Sequence, residues 1–255
     1  MRKFFLGSLM AMTVISSCLA GEAYVEKSAM SSAHASQAAA ADERFVYAVS
    51  STDIAKLDRE GGKELAVSTG KAAHLNSAVL IDGKVYSAHS NFPLKPEQGD
   101  IRVLDPKTMK LEVFHQFENP PGSITWVLKR EGSWWCHFAG YALEKEKSCL
   151  VRFDAEWKET GRWSYPPELM KDWGAMSLSG GIWQGDVLLA TGHDKKLIYR
   201  LRVPEKGGMI EWQSSITSPF PGQGIAADPK TGGLVGIDRK RKAVIFAELA
   251  KEEGP

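Results

Sequence analysis

The chain has 255 residues, with 32 Lys and Arg against 31 Asp and Glu for a formal net charge of +1, and 43% of its residues are hydrophobic. Acidic and basic side chains are interspersed, so the wholesale basic surface that grips a phosphate backbone is excluded, and nucleic acid with it. That length fits one large all-β domain as readily as two small ones, and a single domain is the simpler expectation.

In chain order, the N-terminus reads Met1-Arg2-Lys3, an apolar run from Phe4 to Ile15, then Ser16-Ser17-Cys18-Leu19-Ala20-Gly21. Charged, apolar and small-residue stretches in that succession mark an export signal over 1–20, too short to serve as a permanent anchor. Two processing outcomes are open. Cleavage after Ala20 releases a periplasmic or extracellular protein, whereas Ile15-Ser16-Ser17-Cys18 resembles a bacterial lipobox, whose cysteine would carry a lipid as the sole membrane contact. Residues 21–43 are rich in Ser and Ala without apolar periodicity and read as a flexible tether, with 44–249 as the folded domain and 250–255 as a polar tail.

The folded part repeats. Extended apolar strands close on Leu57, Leu104, Phe153, Leu201 and Phe246, 45 to 49 residues apart. That period marks radially arranged four-stranded sheets, so the expected class is an all-β, β-propeller fold, with five blades of about four antiparallel strands and with six blades or an imperfect closure as the alternatives. The second, third and fourth repeats each show four strands bounded by turn residues. The first lacks an inner strand and the fifth an outer one. Small residues open the inner strands, at Ser77-Ala78, Gly122-Ser123, Ser179 to Gly181 and Gly222 to Gly224, because blades converge at the axis and bulky side chains would collide there.

The turns also predict a polarity. Tight joins such as Asp82-Gly83, Glu131-Gly132 and Glu205 to Gly208 fall on one face, and the longer joins 90–99, 140–148, 166–175 and 218–222 fall on the other, where function concentrates. The loop face collects His74, His89, Asn91, Phe92, Tyr141, Trp173, His193, Asp194, Gln223, Asp238 and Arg239. Imidazole, amide and carboxylate groups around a pore could bind a small ligand, hold a divalent metal, or act as acid and base. His74, His193, Asp194 and Asp238 are the candidates for chemistry; His89, Asn91, Tyr141, Trp173, Gln223 and Arg239 are the candidates for binding. Each also has a structural explanation: an alternating strand buries half its histidines between blades, and Asp after His is ordinary turn chemistry. Lys195-Lys196 and Arg239 to Lys242 occupy equivalent joins in adjacent repeats, which would set them side by side on the rim. Cys136 and Cys149 lie on consecutive strands, where a cross-strand disulfide and two buried thiols are both open.

No HExxH, CxxC, GxSxG or P-loop motif fixes a mechanism. The stretches His89-Ser90-Asn91-Phe92-Pro93, Gly122-Ser123-Ile124-Thr125-Trp126, Trp134-Trp135, Phe138-Ala139-Gly140-Tyr141, Arg152-Phe153-Asp154, Pro166-Pro167-Glu168-Leu169, Ser179-Gly180-Gly181, Thr191-Gly192-His193-Asp194 and Gly222-Gln223-Gly224-Ile225-Ala226 resemble exported bacterial propeller proteins often labelled cycloisomerase. The resemblance covers residues 74–246 and implies fold and export, with no residue roles. Three functions follow as expectations: a monomeric propeller binding a small polar or anionic molecule at the loop-side pore; a lactone hydrolase, lyase or cycloisomerase using pore His and Asp; and a protein-interaction scaffold.

Overall fold

The computed structural model describes residues 22–251. The expected export signal, with the lipidation candidate Cys18, and the last four residues lie outside the described part. Among the described residues, no helix is long and apolar enough to cross a membrane.

Strands dominate. β1 (Glu22–Ser31) precedes four strands that run as a meander, β2 (Ala38–Ala41), β3 (Phe45–Val49), β4 (Ile54–Asp58) and β5 (Glu64–Val67). A second meander comprises β6 (Val79–Ile81), β7 (Lys84–Ser90), β8 (Gly99–Asp105) and β9 (Lys110–Phe117). A third comprises β10 (Ser123–Arg130), β11 (Ser133–Ala139), β12 (Cys149–Phe153) and β13 (Glu159–Ser164), followed by the short helix α1 (Pro167–Trp173). The remainder is β14 (Gly180–Gln184), β15 (Val187–Thr191), β16 (Leu197–Arg202), β17 (Gly208–Met209), β18 (Glu211–Thr217), β19 (Ala226–Ala227), β20 (Leu234–Asp238) and β21 (Ala243–Lys251).

Within each group neighbouring strands pair antiparallel, and the short β17 adds to the edge of the third group by a parallel pairing with β13. The largest sheet, β14-β15-β16-β18-β1-β21-β20-β19, is two such groups joined edge to edge by a single parallel pair, Ala23 with Thr217. The innermost strands β2, β6, β10, β14 and β19 neighbour one another in a closed cycle that returns from β19 to β2. The architecture is thus all-β and propeller-like, with antiparallel sheets standing around an axis.

Two segments correct the sequence reading. Residues 22–31 and 38–41, expected as tether, are β1 and β2, and they supply the two strands that looked missing. β1 pairs with β21 from Glu22↔Lys251 to Ser31↔Ala243, as the outer strand of the last group. Ala250 and Lys251, assigned to a polar tail, belong to this pairing. The four alanines of β2 are all buried, at 0 to 2% exposure. A run of alanine looks like low complexity, but beside the axis only the smallest side chains fit. A Cβ on Gly224 would lie 2.6 Å from the Ala38 Cβ, which is closer than two carbons can approach.

Cys136 and Cys149 are both free and buried. The register sets Cys136 opposite Val151 and Phe138 opposite Cys149, so the two thiols are offset diagonally and form no disulfide. Burial pushes the Cys149 thiol up to about 11 and the Cys136 thiol well above its usual range.

Apolar clusters fill the spaces between sheets, and aromatic rings carry much of that packing. Trp126 and Trp163 are fully buried, each worth roughly 2–3 kcal/mol in apolar area removed from water. On the face of tight hairpins, Arg59 ties the first group to the last. Its guanidinium meets Asp228 at 2.7 Å and the Asp42 carbonyl at 2.6 Å, and it lies 4.8 Å over the Phe246 ring. Burial pushes the Asp228 carboxyl up, but hydrogen bonds from Arg59, Thr231 and the Lys230 N–H, with the Arg59 charge, outweigh it and hold the group below its usual range.

Candidate functional site

The joins between second and third strands, and between one group and the next, all open at the same end of the axis. The tight hairpins open at the other. At the loop end lies a cavity of about 200 Å³ lined by Gln37, His74, Asn76, Phe92, Thr125, Tyr141, Met176, Ser177, Ser179, His193, Gln223 and Arg239. Every strand group contributes to it. The meander runs each inner strand away from this end, so the residues just before those strands, Gln37, Asn76, Ser179 and Gln223, are delivered to the rim together.

Five sequence candidates converge here: His74, Tyr141, His193, Gln223 and Arg239. Burial, with the positive charge of Arg239, lowers the His74 pKa, so its imidazole is neutral at pH 7. Its ring lies 5.4 Å from Phe92, and Phe92 lies 4.8 Å from Tyr141, giving a row of three rings along one wall. Burial also pushes the Tyr141 phenol up, keeping it protonated and able to donate. Gln223 takes a left-handed backbone, φ 74°, and its Nε2 donates to the His193 carbonyl at 2.9 Å. Beside it, Gly222 is obligatory, since a Cβ there would lie 2.4 Å from the His193 carbonyl.

Arg239 is the cation of this cavity. Its Nε donates to the Ser36 carbonyl at 3.0 Å, and it forms no ion pair among the described residues. Burial lowers its pKa, opposed by the charge of Asp194; an arginine stays protonated all the same. No carboxylate lines the cavity.

A second cavity of about 420 Å³ adjoins it, sharing His193, Gln223 and Arg239 and adding Asp194, Lys196, Pro221, Asp238 and Lys240. Here both basic runs meet across one opening. Asp194 Oδ2 stands 2.8 Å from His193 Nδ1, close but without the alignment of a hydrogen bond. Asp238, a candidate for chemistry, accepts from the backbone N–H groups of Lys240 and Arg241 at 2.9 and 3.1 Å, and shapes its own turn.

The other candidates are structural. Both His89 nitrogens are committed: the Ala73 N–H donates to Nε2 at 2.8 Å, so Nδ1 carries the proton and donates to Asp100 Oδ2 at 2.9 Å. The ring holds the segment that carries His74 rather than a ligand. Asn91 accepts from the Gln98 N–H and donates to the Pro96 carbonyl, both at 2.9 Å, so its amide shapes its own loop. Trp173, at 5% exposure, packs its ring 5.2 Å from Tyr165 in the core. His137 is fully buried, bonded to Tyr165 at 2.8 Å and Ser177 at 3.1 Å, and burial drives its pKa down to about 3.

Sequence reasoning missed Gln37, Asn76, Thr125, Ser177 and Ser179. The signal existed for Ser179, which sits in the run of small residues marking an inner strand. Gln37 was hidden in the supposed tether. Among the described residues no group of three or more His, Cys, Asp or Glu is placed to hold a metal ion.

No protein-family model matches the chain, and no curated protein does. Among solved structures it is similar to the glutaminyl cyclase of Myxococcus xanthus, with a TM-score of 0.62 and 9% sequence identity over 91% of this chain and 98% of that one. It is also similar to a chain of a mitotic checkpoint complex, with a TM-score of 0.48 and 11% identity over 97% of this chain and 98% of that one, a likeness too low to bear on the argument. At such identity the first likeness concerns the fold alone: a propeller-like all-β protein whose structural neighbour is a cyclase. It transfers no residue roles.

Proposed function

We propose that this chain is a five-bladed β-propeller, exported through its N-terminal leader, that binds a small anionic ligand at the loop-side mouth. The closed cycle of five inner strands supports the blade count. One observation carries the ligand: Arg239 stands, without an ion pair among the described residues, in a cavity that every strand group lines and to which no carboxylate contributes. A guanidinium with its terminal N–H groups uncommitted is a fork matched to a carboxylate. The neutral His74 and the Tyr141 hydroxyl can serve as further hydrogen-bond partners, and Lys196 and Lys240 on the rim draw anions inward.

Acetate is the simplest probe. Titrated into the protein with chemical-shift readout, it is expected to saturate, and Arg239→Gln should weaken it by about tenfold or more. Saturation indifferent to Arg239 would overturn the proposal.

A second reading, an enzyme of the lactone hydrolase, lyase or cyclase type, is favoured by the His193–Asp194 contact and the cyclase neighbour. The inner cavity offers such chemistry His74, His193 and the Tyr141 phenol but no carboxylate, which is why binding ranks first. Turnover of a lactone panel that is lost in His193→Asn, with acetate affinity retained, would reverse that ranking.

A further inference from the structure

Beside the mouth lies a third cavity, of about 210 Å³, that the binding reading leaves without a role. Phe92 and Tyr141 line both it and the mouth, so the two spaces lie on either side of that pair of rings. Its character is different. Pro93, Leu94 and the two rings make its wall largely carbon, and the only buried polar atom with no partner is the Ser123 hydroxyl, on a residue 3% exposed. That hydroxyl lies close to the Tyr141 phenol yet makes no aligned hydrogen bond. Asn91, Lys95, Glu97 and Glu144 complete the lining, and Lys95 pairs with Glu144 at 3.0 Å, linking the two segments that flank the cavity. Those segments carry Leu94 at 66% exposure and Leu143 at 100%, two large apolar side chains left in water on the same face.

Resting on the reading of the mouth as an anion site, we propose that its ligand is amphiphilic: a carboxylate held at Arg239 whose apolar arm passes Phe92 and Tyr141 into this side pocket. Size sets the arm. An apolar cavity of about 150 Å³ holds a benzene molecule, so 210 Å³ accommodates an arm of about six to eight carbons. The unpartnered Ser123 hydroxyl fits an arm that carries one hydrogen-bonding atom along it. Medium-chain and aryl carboxylates are the class described.

The experiment is calorimetric titration of the full chain with acetate, octanoate and 3-phenylpropanoate, repeated on Leu94→Asp, Tyr141→Ser and Arg239→Gln. Octanoate is expected to bind at least about 30-fold tighter than acetate, because each buried methylene adds affinity. The octanoate-to-acetate ratio should fall at least about fivefold in Leu94→Asp, whose exposed position makes misfolding a weak objection. If both acids bind equally and both need Arg239, the side pocket is not part of the site and the inference fails while the anion site stands. A large ratio that neither Leu94→Asp nor Tyr141→Ser reduces places the arm elsewhere and overturns it as well. Binding indifferent to Arg239, or absent altogether, removes the anion site and the inference together.

Discussion

Arg59 and Arg239 both bridge the last strand group to the part of the chain that begins the first, yet their surroundings are opposite. On the hairpin face, Arg59 is buried with its charge fully answered by Asp228, the Asp42 carbonyl and the Phe246 ring. On the loop face, Arg239 has one backbone carbonyl and open space. The same residue type is thus a fastener at one end of the axis and a receptor at the other. What separates them is the ion pair: Asp228 is bonded to Arg59, whereas Asp194 and Asp238 line only the adjoining cavity and form no ion pair with Arg239.

The largest expected effect tests the fastener. Asp228→Ala leaves the Arg59 charge buried and unpaired, and should cost about 3–5 kcal/mol in denaturant unfolding. A loss under about 1 kcal/mol would mean that water already screens the pair and that the two ends of the molecule are not so different.

Next in size is the acid response of the interior. His137 is buried neutral with a pKa of about 3, below the usual value of 6.5, so the unfolded chain takes up a proton over this range and the folded one does not. Stability is therefore complete above about pH 6.5 and falls by at most about 1.4 kcal/mol per pH unit down to about pH 3. Unfolding free energies at pH 7, 6, 5 and 4 should show a shallower slope in His137→Gln. Equal slopes in the two proteins would contradict the buried neutral ring. Asp228 acts in the same direction but lower: its depressed carboxyl adds stability that is lost only as pH falls below about 4.

The smallest effect sharpens the contrast most. Arg239→Gln should change unfolding free energy by less than about 0.5 kcal/mol, because nothing in the fold depends on its charge. A loss comparable to that of Asp228→Ala would make Arg239 a second fastener.

Much of the architecture was legible because strands, turns and the 45 to 49 residue period are written in apolar alternation and turn residues. The two strands that escaped were those whose surroundings remove the usual signature. Ala38 to Ala41 are small because the axis demands it, and β1 is an outer strand, mostly exposed, with polar residues at Glu22, Glu26, Lys27 and Ser28. The mouth was legible as a face, since loop length and chain direction decide which end a residue reaches. Which histidine was free was not. His74 and His89 are both near the loop end, but His89 is consumed by Asp100 and the Ala73 N–H, partners set by sheet register rather than by neighbours in sequence. Of the two readings left open for Cys136 and Cys149, buried thiols are what the fold holds, and the deciding fact is again register, a diagonal offset between strands correctly assigned.

The central claim, an anion site at the loop-side mouth, is tested most directly by anomalous diffraction from crystals soaked in bromoacetate. The bromine is predicted inside the mouth, among Arg239, His74 and Phe92, and absent when Arg239→Gln crystals are soaked in the same way. Bromine missing from the mouth, or held there unchanged in the Arg239→Gln crystals, would contradict the account.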